Sequence, residues 1–468
     1  MKELTVTVIG GGSVNWMQGL MRDFYMIDSL HGGEIRLVDP NREHVEAVAD
    51  MLLAFNKLRD KNYRIRIMED RREALHGTDF VIATFSPGAM EAFRNDLELP
   101  LKYGVRLPVS MTVGPCGISA SLRTAPAAYE IVQEMEELCP GAWLLNLTNP
   151  MSVVTRAMNA AARTVKVVGL CHEFHCLPDY LGPMLGLHKP EGMSKLDYIY
   201  RWLPEQGMDY TVAGVNHFIW LTEARLNGED MLPLIREYCR THPHLEAAGG
   251  SGEQATASFR NNGAAKFALC RQFGCLPLAG DRHLIEFYPS LCNIRNGYGM
   301  KYNVSKTTVE ARQLSKIRQL EKIRSMARQG SSIIWEKSGE ELTAIMEAVI
   351  SGQSVSSIVN MPNRGQIANL PQEVIVETLA TVSAEGIVPK PSGALPGAIG
   401  SLCRLHADVH EITLKAALQG SRELLIEALS LDPSSGCADF AELPQLADEL
   451  LLANRKWLPR FFGEGTGQ

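Results

Sequence analysis

A chain of 468 residues exceeds the usual span of one compact domain, so two domains, or one with a large elaboration, are expected. With 45% hydrophobic and 21% charged residues, 40 Gly and 24 Pro, the composition is that of a folded globular enzyme and excludes a disordered or fibrous chain. A formal net charge of -7 without a dense Lys/Arg stripe argues against nucleic acid or an anionic membrane as partner, and for a small molecule. Ten cysteines lie scattered with no C-x-x-C pair, and Met1-Lys2-Glu3 runs into a strand-like segment instead of a signal sequence, so a cytoplasmic protein with reduced thiols is expected. No apolar run reaches the roughly 18 residues that span a bilayer.

Leu4 to Ile9 (LTVTVI) reads as a short buried strand, broken by Gly10-Gly11-Gly12-Ser13 before a helical stretch from Val14 to Ile27. A second strand, Ile35 to Val38, ends at Asp39, a helix follows over Arg42 to Arg59, and Tyr63 to Ile67 reads as a third strand. Asp79 to Thr84, Trp143 to Leu147 and Val165 to Leu170 are further short apolar runs, separated by helical patterns that include Ala120 to Glu137 and Met151 to Arg163. This alternation predicts an α/β fold with an N-terminal doubly wound, Rossmann-like parallel sheet over residues 1–190. The regular alternation then stops, and helical patterns at Thr307 to Glu347, Ala407 to Leu431 and Ala441 to Asn454 predict a mostly helical α+β domain over residues 191–468. Ala247 to Ala255 (AAGGSGEQA) reads as a loop, either a lid or a plain surface connection.

Gly10, Gly11, Gly12 and Ser13 form a turn whose backbone amides can meet a pyrophosphate, and Asp39 at the next strand end can take a ribose 2′-OH. The pair favours NAD over its phosphorylated form, although the turn lacks the last glycine of the usual fingerprint. Ser86 and Pro87, after the strand ending at Thr84, fall beside the same crevice. Three clusters carry chemistry: Cys171-His172-Glu173 directly after a strand, Gly214-Val215-Asn216-His217, and Gly280-Asp281-Arg282-His283. A thiolate and an imidazole can hold a divalent transition ion while leaving positions open for substrate oxygens, which makes Cys171 and His217 the candidate metal ligands. On spacing alone either residue is more often structural than a ligand.

Several stretches together resemble family 4 of the glycoside hydrolases, which require NAD and a divalent metal, usually manganese. They are VIGGGS at Val8 to Ser13, LKYGV at Leu101 to Val105, NLTNPMSVVTR at Asn146 to Arg156, GLCHE at Gly169 to Glu173 and GVNHF at Gly214 to Phe218. Within the family the chain is most similar to the α-galacturonidase branch, through TVGP at Thr112 to Pro115, GDRHLIEF at Gly280 to Phe287, NMPNRGQIANLP at Asn360 to Pro371 and SGALP at Ser392 to Pro396. The C-H-E-F signature from Cys171 argues against the phospho-sugar members and for an unphosphorylated α-linked sugar or sugar acid. One departure stands out: where relatives tend to carry a second glycine and then an arginine after TVGP, this chain has Cys116 and Ala120, with Arg123 one turn later.

The resemblance implies a lactate/malate dehydrogenase-like fold, a homodimer or homotetramer, and hydrolysis without the usual carboxylate pair. NAD takes hydride from C3, the acidified C2 proton is removed, the C1 leaving group is eliminated, water adds and the hydride returns. Cys171 and His217 match the family's metal positions, and His172 its proton-transfer position. Asp281 is the implied C2 base, or else a helix or turn cap. Asn149 is expected to bind sugar hydroxyls or to form an Asx turn before Pro150, and Asn216 is a similar candidate. Arg282 and His283 suit a uronate carboxylate, and Arg94 with Asp96 either lines the pocket or belongs to a solvated helix face. α-Glucosidase, α-galactosidase and α-glucuronidase activities, a plain NAD-dependent dehydrogenase and a non-catalytic NAD sensor are the alternatives.

Overall fold

The computed structural model describes residues 3–28, 30, 32–245, 262–329 and 333–463, and the Ala247 to Ala255 stretch lies outside them. The first half supplies β1 (Leu4–Ile9), β2 (Gly32–Val38), β3 (Asn62–Met68), β4 (Phe80–Ala83), β5 (Trp143–Asn146) and β6 (Lys166–Gly169), paired in parallel in the order β3-β2-β1-β4-β5-β6. This is the doubly wound arrangement, with its topological switch between β1 and β4. β4 and β5 are buried at every position, as strands covered on both faces must be, which explains their unbroken apolar runs.

Helices from both halves cover that sheet. On one face lie α1 (Met17–Tyr25) and α2 (Arg42–Leu58), joined in the same core by α8 (Val309–Gln329) and α9 (Leu342–Ser351) through Leu320, Ile323, Leu342 and Ile345. α3 (Ala89–Glu98) follows β4, with α4 (Gly114–Leu138) and α5 (Met151–Ala161) on the opposite face. There α10 (Gly397–Gln419) and α11 (Arg422–Leu431) complete the core with Val409, Leu414 and Leu425.

The second half also extends the sheet. β7 (Met208–Val215), β8 (Phe218–Leu226), β11 (Val355–Pro362) and β12 (Ile375–Ser383) continue from β6 in the order β6-β11-β12-β7-β8 through antiparallel pairing. With β9 (Glu229–Asp230) and β10 (Leu276–Pro277) paired to β8 and β13 (Gly386–Pro389) paired to β12, the result is one thirteen-stranded mixed sheet, with no break in pairing near residue 190. α6 (Ala264–Phe273) and the short α7 (Asp281–Phe287) pack beside β8.

Two long predicted helices are interrupted. Thr307 to Glu347 divides into α8 and α9, because Ser338 between them is pinned to α1 by its amide, which reaches Asp23 at 2.8 Å. Ala407 to Leu431 divides at Gly420, whose φ is +67° and where a Cβ would lie 2.0 Å from the Arg460 carbonyl oxygen. Among the described residues no helix is long and apolar enough to cross a membrane.

Candidate active site

The glycine turn after β1 is shaped by close approach. Gly10 has φ +89°, and a Cβ there would sit 2.0 Å from the Thr84 carbonyl oxygen at the end of β4. The Gly10 and Gly11 amides both donate to the Val38 carbonyl, at 2.9 and 3.0 Å. The Gly12 amide donates to Asp39 Oδ2 at 2.9 Å and the Asn41 amide to Asp39 Oδ1 at 2.8 Å, so the carboxylate joins the turn to the end of β2. Ser13 closes the turn onto the Gly10 carbonyl at 2.9 Å, whereas the Val14 and Asn15 amides next in line donate to no group among the described residues. Open amides ahead of a helix, beside a backbone too crowded for a side chain, fit a dinucleotide's pyrophosphate. Ser86 and Pro87 border this crevice, held from behind by Arg123, whose Nε donates to the Pro87 carbonyl at 2.9 Å.

Sheet register assembles the second part of the site. Gly169, Asn360, Glu377 and Gly214 form one row across β6, β11, β12 and β7, so Cys171 and Asn216 each lie two residues beyond its ends. The Asn216 side chain lies close enough to the Cys171 thiol to oppose the rise in its pKa. Glu377 Oε1 accepts from Asn360 at 3.1 Å and, more weakly, from Asn216 at 3.5 Å. Burial pushes the Glu377 carboxyl up to about 8. Burial, with Glu377 and Glu173 nearby, raises the Cys171 thiol well above its ordinary range.

His217 occupies the turn between β7 and β8 with φ +63°. Its Nδ1 lies 2.8 Å from Thr112 Oγ1, and its ring stacks on His283 with centroids 3.8 Å apart. Burial, reinforced by His283, holds His217 well below the usual imidazole value, so it is neutral. Glu173 is the hub that sequence reading left without a role. Its Oε2 accepts from the Gly280 amide at 2.6 Å, and its Oε1 lies 3.8 Å from His172 Nε2 and 4.0 Å from His283 Nε2. His172 is half-buried, with Nδ1 3.2 Å from Glu340 and its ring beside Trp16.

Among the described residues no group of three or more His, Cys, Asp and Glu side chains is gathered closely enough to hold a metal. The donor chemistry still fits a transition ion: a thiol, a neutral imidazole, and the Oδ1 atoms of Asn216 and Asn360 with Glu377 Oε2, three buried acceptors without a hydrogen-bond partner.

The other predicted residues divide. Asp281 is fully buried: its Oδ1 accepts the Lys266 amide at 3.0 Å, capping α6, while its Oδ2 has no hydrogen-bond partner and burial raises the carboxyl to about 6. Asn149 Oδ1 accepts from the Met151 amide at 3.2 Å, an Asx turn entering α5. Arg94 pairs with Glu98 at 2.9 Å and with Glu310 of α8 at 3.5 Å. Asp96 forms a buried ion pair with Arg123 at 2.5 Å instead of lying on a solvated face. Arg282 donates to the Pro108 carbonyl at 3.0 Å and to the Thr307 hydroxyl, next to His283. Cys116 packs with Val105 and Leu107, while Ala120 is partly exposed. Thr112, Asn360 and Glu377 received no role in the sequence because only strand register and the turn at His217 bring them here.

A model of the family 4 glycosyl hydrolases matches residues 5–187, and that of the family 4 glycosyl hydrolase C-terminal domain matches residues 212–435. The chain belongs to glycoside hydrolase family 4. Within that family it is similar to the α-galacturonidase of Thermoanaerobacterium saccharolyticum, at 30% identity covering 97% of each chain. The α-galacturonidase of Lachnoclostridium phytofermentans is 31% identical, covering 98% of each. The family 4 fold is shared with a solved 6-phospho-α-glucosidase from gut microorganisms, at a TM-score of 0.79, 19% identity and coverage of 98% of this chain and 99% of that one.

Proposed function

We propose that this family 4 member is an α-galacturonidase that works with NAD and a divalent cation, manganese by preference, on a small α-linked galacturonide. The observation that carries the reading is the convergence of Cys171, His172, Glu173, His217 and His283 beside the dinucleotide crevice. The relatives named α-galacturonidase support the substrate class. The 6-phospho-α-glucosidase was solved in complex with NAD and Mn2+, which supports the cofactor pair.

When bound, NAD supplies reversible hydride transfer at C3 of the sugar, and the cation supplies Lewis-acid polarisation of the neighbouring oxygens. Gly10, Gly11, Gly12, Ser13 and Asp39, with Ser86 and Pro87 at the rim, would hold the dinucleotide. Cys171 and His217 would hold the cation. For the imidazole to ligate through Nε2, its proton must sit on Nδ1 and be donated to Thr112 Oγ1.

His172 is the group for proton transfer, being half-buried and flanked by the carboxylates of Glu173 and Glu340, which orient its ring. Asn216 orients the Cys171 thiol. Arg282 and His283 face the sugar's carboxylate, and Arg312 adds a second guanidinium to the charge around Glu286. Asn149 shapes the entry to α5. Nine buried cysteines and one exposed suit a reducing cytoplasm, and a homodimer or homotetramer is the proposed assembly.

The test is release of galacturonate from digalacturonate and from nitrophenyl α-galacturonide with NAD, Mn2+ and reductant present, with solvent deuterium incorporated at C2. Cleavage of neutral α-glucosides or α-galactosides alone would overturn the substrate. Net accumulation of NADH without glycoside cleavage would favour a dehydrogenase.

A further inference from the structure

Helix α8 lies across the mouth of the crevice at the carboxyl ends of β1, β2 and β4. Three sets of contacts fix its course. Near its start the Arg312 guanidinium lies 4.6 Å from the ring centroid of Phe93 on α3, in its middle Gln319 accepts a hydrogen bond from Gln18 on α1, and towards its end Arg324 donates to Glu43 on α2 at 2.7 Å. Gln18 and Glu43 belong to the first turns of α1 and α2, and Phe93 to the second turn of α3. A helix that touches the openings of all three covers the space where their preceding strands end.

Residues 312, 316 and 319 share one face of α8, spaced by four and three, so Lys316 stands between Arg312 and Gln319 on the side turned to the crevice. It is partly buried, which lowers its ammonium pKa. It makes no hydrogen bond or ion pair among the described residues, and its charged neighbours are Arg312 and Asp39. Asp39 does not discharge it, because both carboxylate oxygens are already engaged by the Gly12 and Asn41 amides and lie beyond ion-pair distance of the lysine. On the other wall of the crevice stand the open amides of Val14 and Asn15. Two neutral donors on one side and a cation on the other, around a space bounded by glycine, make a receptor for a compact group carrying two negative charges.

We propose that Lys316 is the cationic half of the cofactor's pyrophosphate site, reaching down from α8 onto the diphosphate that the Val14 and Asn15 amides meet from below. The assignment rests on the reading of NAD as cofactor and adds a residue from the C-terminal half to a site otherwise built by the N-terminal half.

The experiment is calorimetric titration of the full-length chain with NAD, with ADP-ribose, which keeps the pyrophosphate, and with adenosine, which lacks it. Lys316→Gln should weaken NAD and ADP-ribose binding about tenfold or more, leave adenosine binding and Tm unchanged, and flatten the salt dependence of ADP-ribose binding. Lys316→Arg should restore most of the affinity. Wild-type affinity for ADP-ribose in Lys316→Gln overturns the assignment alone, as does an equal loss for adenosine. A wild-type preference for NADP that Lys316→Gln abolishes overturns it in favour of a 2′-phosphate contact. Failure of the wild-type chain to bind either NAD or ADP-ribose overturns the cofactor reading, and this assignment with it.

Discussion

The imidazole rings of His217 and His283 lie stacked, with centroids 3.8 Å apart and planes 26° from parallel. Two buried rings tolerate such contact only while neutral, and burial holds His217 well below the ordinary value and His283 down to about 3. The stack therefore fixes a neutral donor nitrogen at the edge of the site. His217→Ala is expected to lower Mn2+ affinity and turnover by about 100-fold or more, and Thr112→Val, which removes the partner of Nδ1, by about tenfold. His283→Phe keeps the stacking surface and should leave Mn2+ affinity near wild type while raising KM for galacturonides. Mn2+ titration by electron paramagnetic resonance reads the affinities, and undiminished Mn2+ binding by His217→Ala would remove that residue from the metal site.

Asp281 offers a direct contest between capping and catalysis. As a cap on the α6 amides, its replacement in Asp281→Asn should cost about 1 kcal/mol, seen as a lower Tm, and leave kcat within a few-fold of wild type. A kcat loss of about a thousandfold at unchanged Tm, with solvent exchange at C2 abolished, would show it to be the base.

Glu286 predicts a pH dependence of stability. It accepts the Val109 and Ser110 amides at 2.6 and 2.9 Å, yet burial raises its carboxyl from 4.5 to about 7. The folded state therefore holds this proton more tightly than the unfolded one. The resulting stabilisation is complete below pH 4.5 and is lost as pH rises through 7. Glu286→Gln is expected to flatten the fall in Tm across that window. An unchanged slope would show that Glu286 is ionised with little penalty in the fold.

Gly10→Ala tests the crevice itself. A Cβ 2.0 Å from the Thr84 carbonyl oxygen at φ +89° cannot be absorbed by a side-chain shift, because the obstacle is backbone. The expected result is a drop in Tm together with loss of NAD binding, measured by differential scanning calorimetry and ligand titration. Normal NAD affinity in the variant would show that the turn has room to move.

Much of the nucleotide half was legible because its signals are local. An apolar run ending in Gly10-Gly11-Gly12, and another ending at Asp39, state strand and turn within a few residues. Cys171 and His217 were readable as single positions, the first by its place after a strand and both through family resemblance. Glu377 and Asn360 were not, since their proximity to Cys171 arises from antiparallel register between strands close to 200 residues away from it in the chain. Glu173 stood in plain view beside His172, but its bond to the Gly280 amide depends on how the second half folds back. Asp281 carried both readings in sequence, and in the fold one carboxylate oxygen caps α6 while the other is left without a partner. The breaks at Ser338 and Gly420 were hidden because helical periodicity runs through them, and tertiary contacts interrupt it.

The two halves meet in the sheet through one register pair, Asn360 with Gly169, yet α8 to α11 of the second half clothe both faces of the first. Such a joint resists swinging, because rotation about the seam would tear helices from two cores at once. Substrate access must then come from shifts of overlying segments, not from clamshell motion. A chain severed between β6 and β7 should likewise yield fragments that are insoluble apart and regain solubility only when co-expressed, as in split-protein complementation.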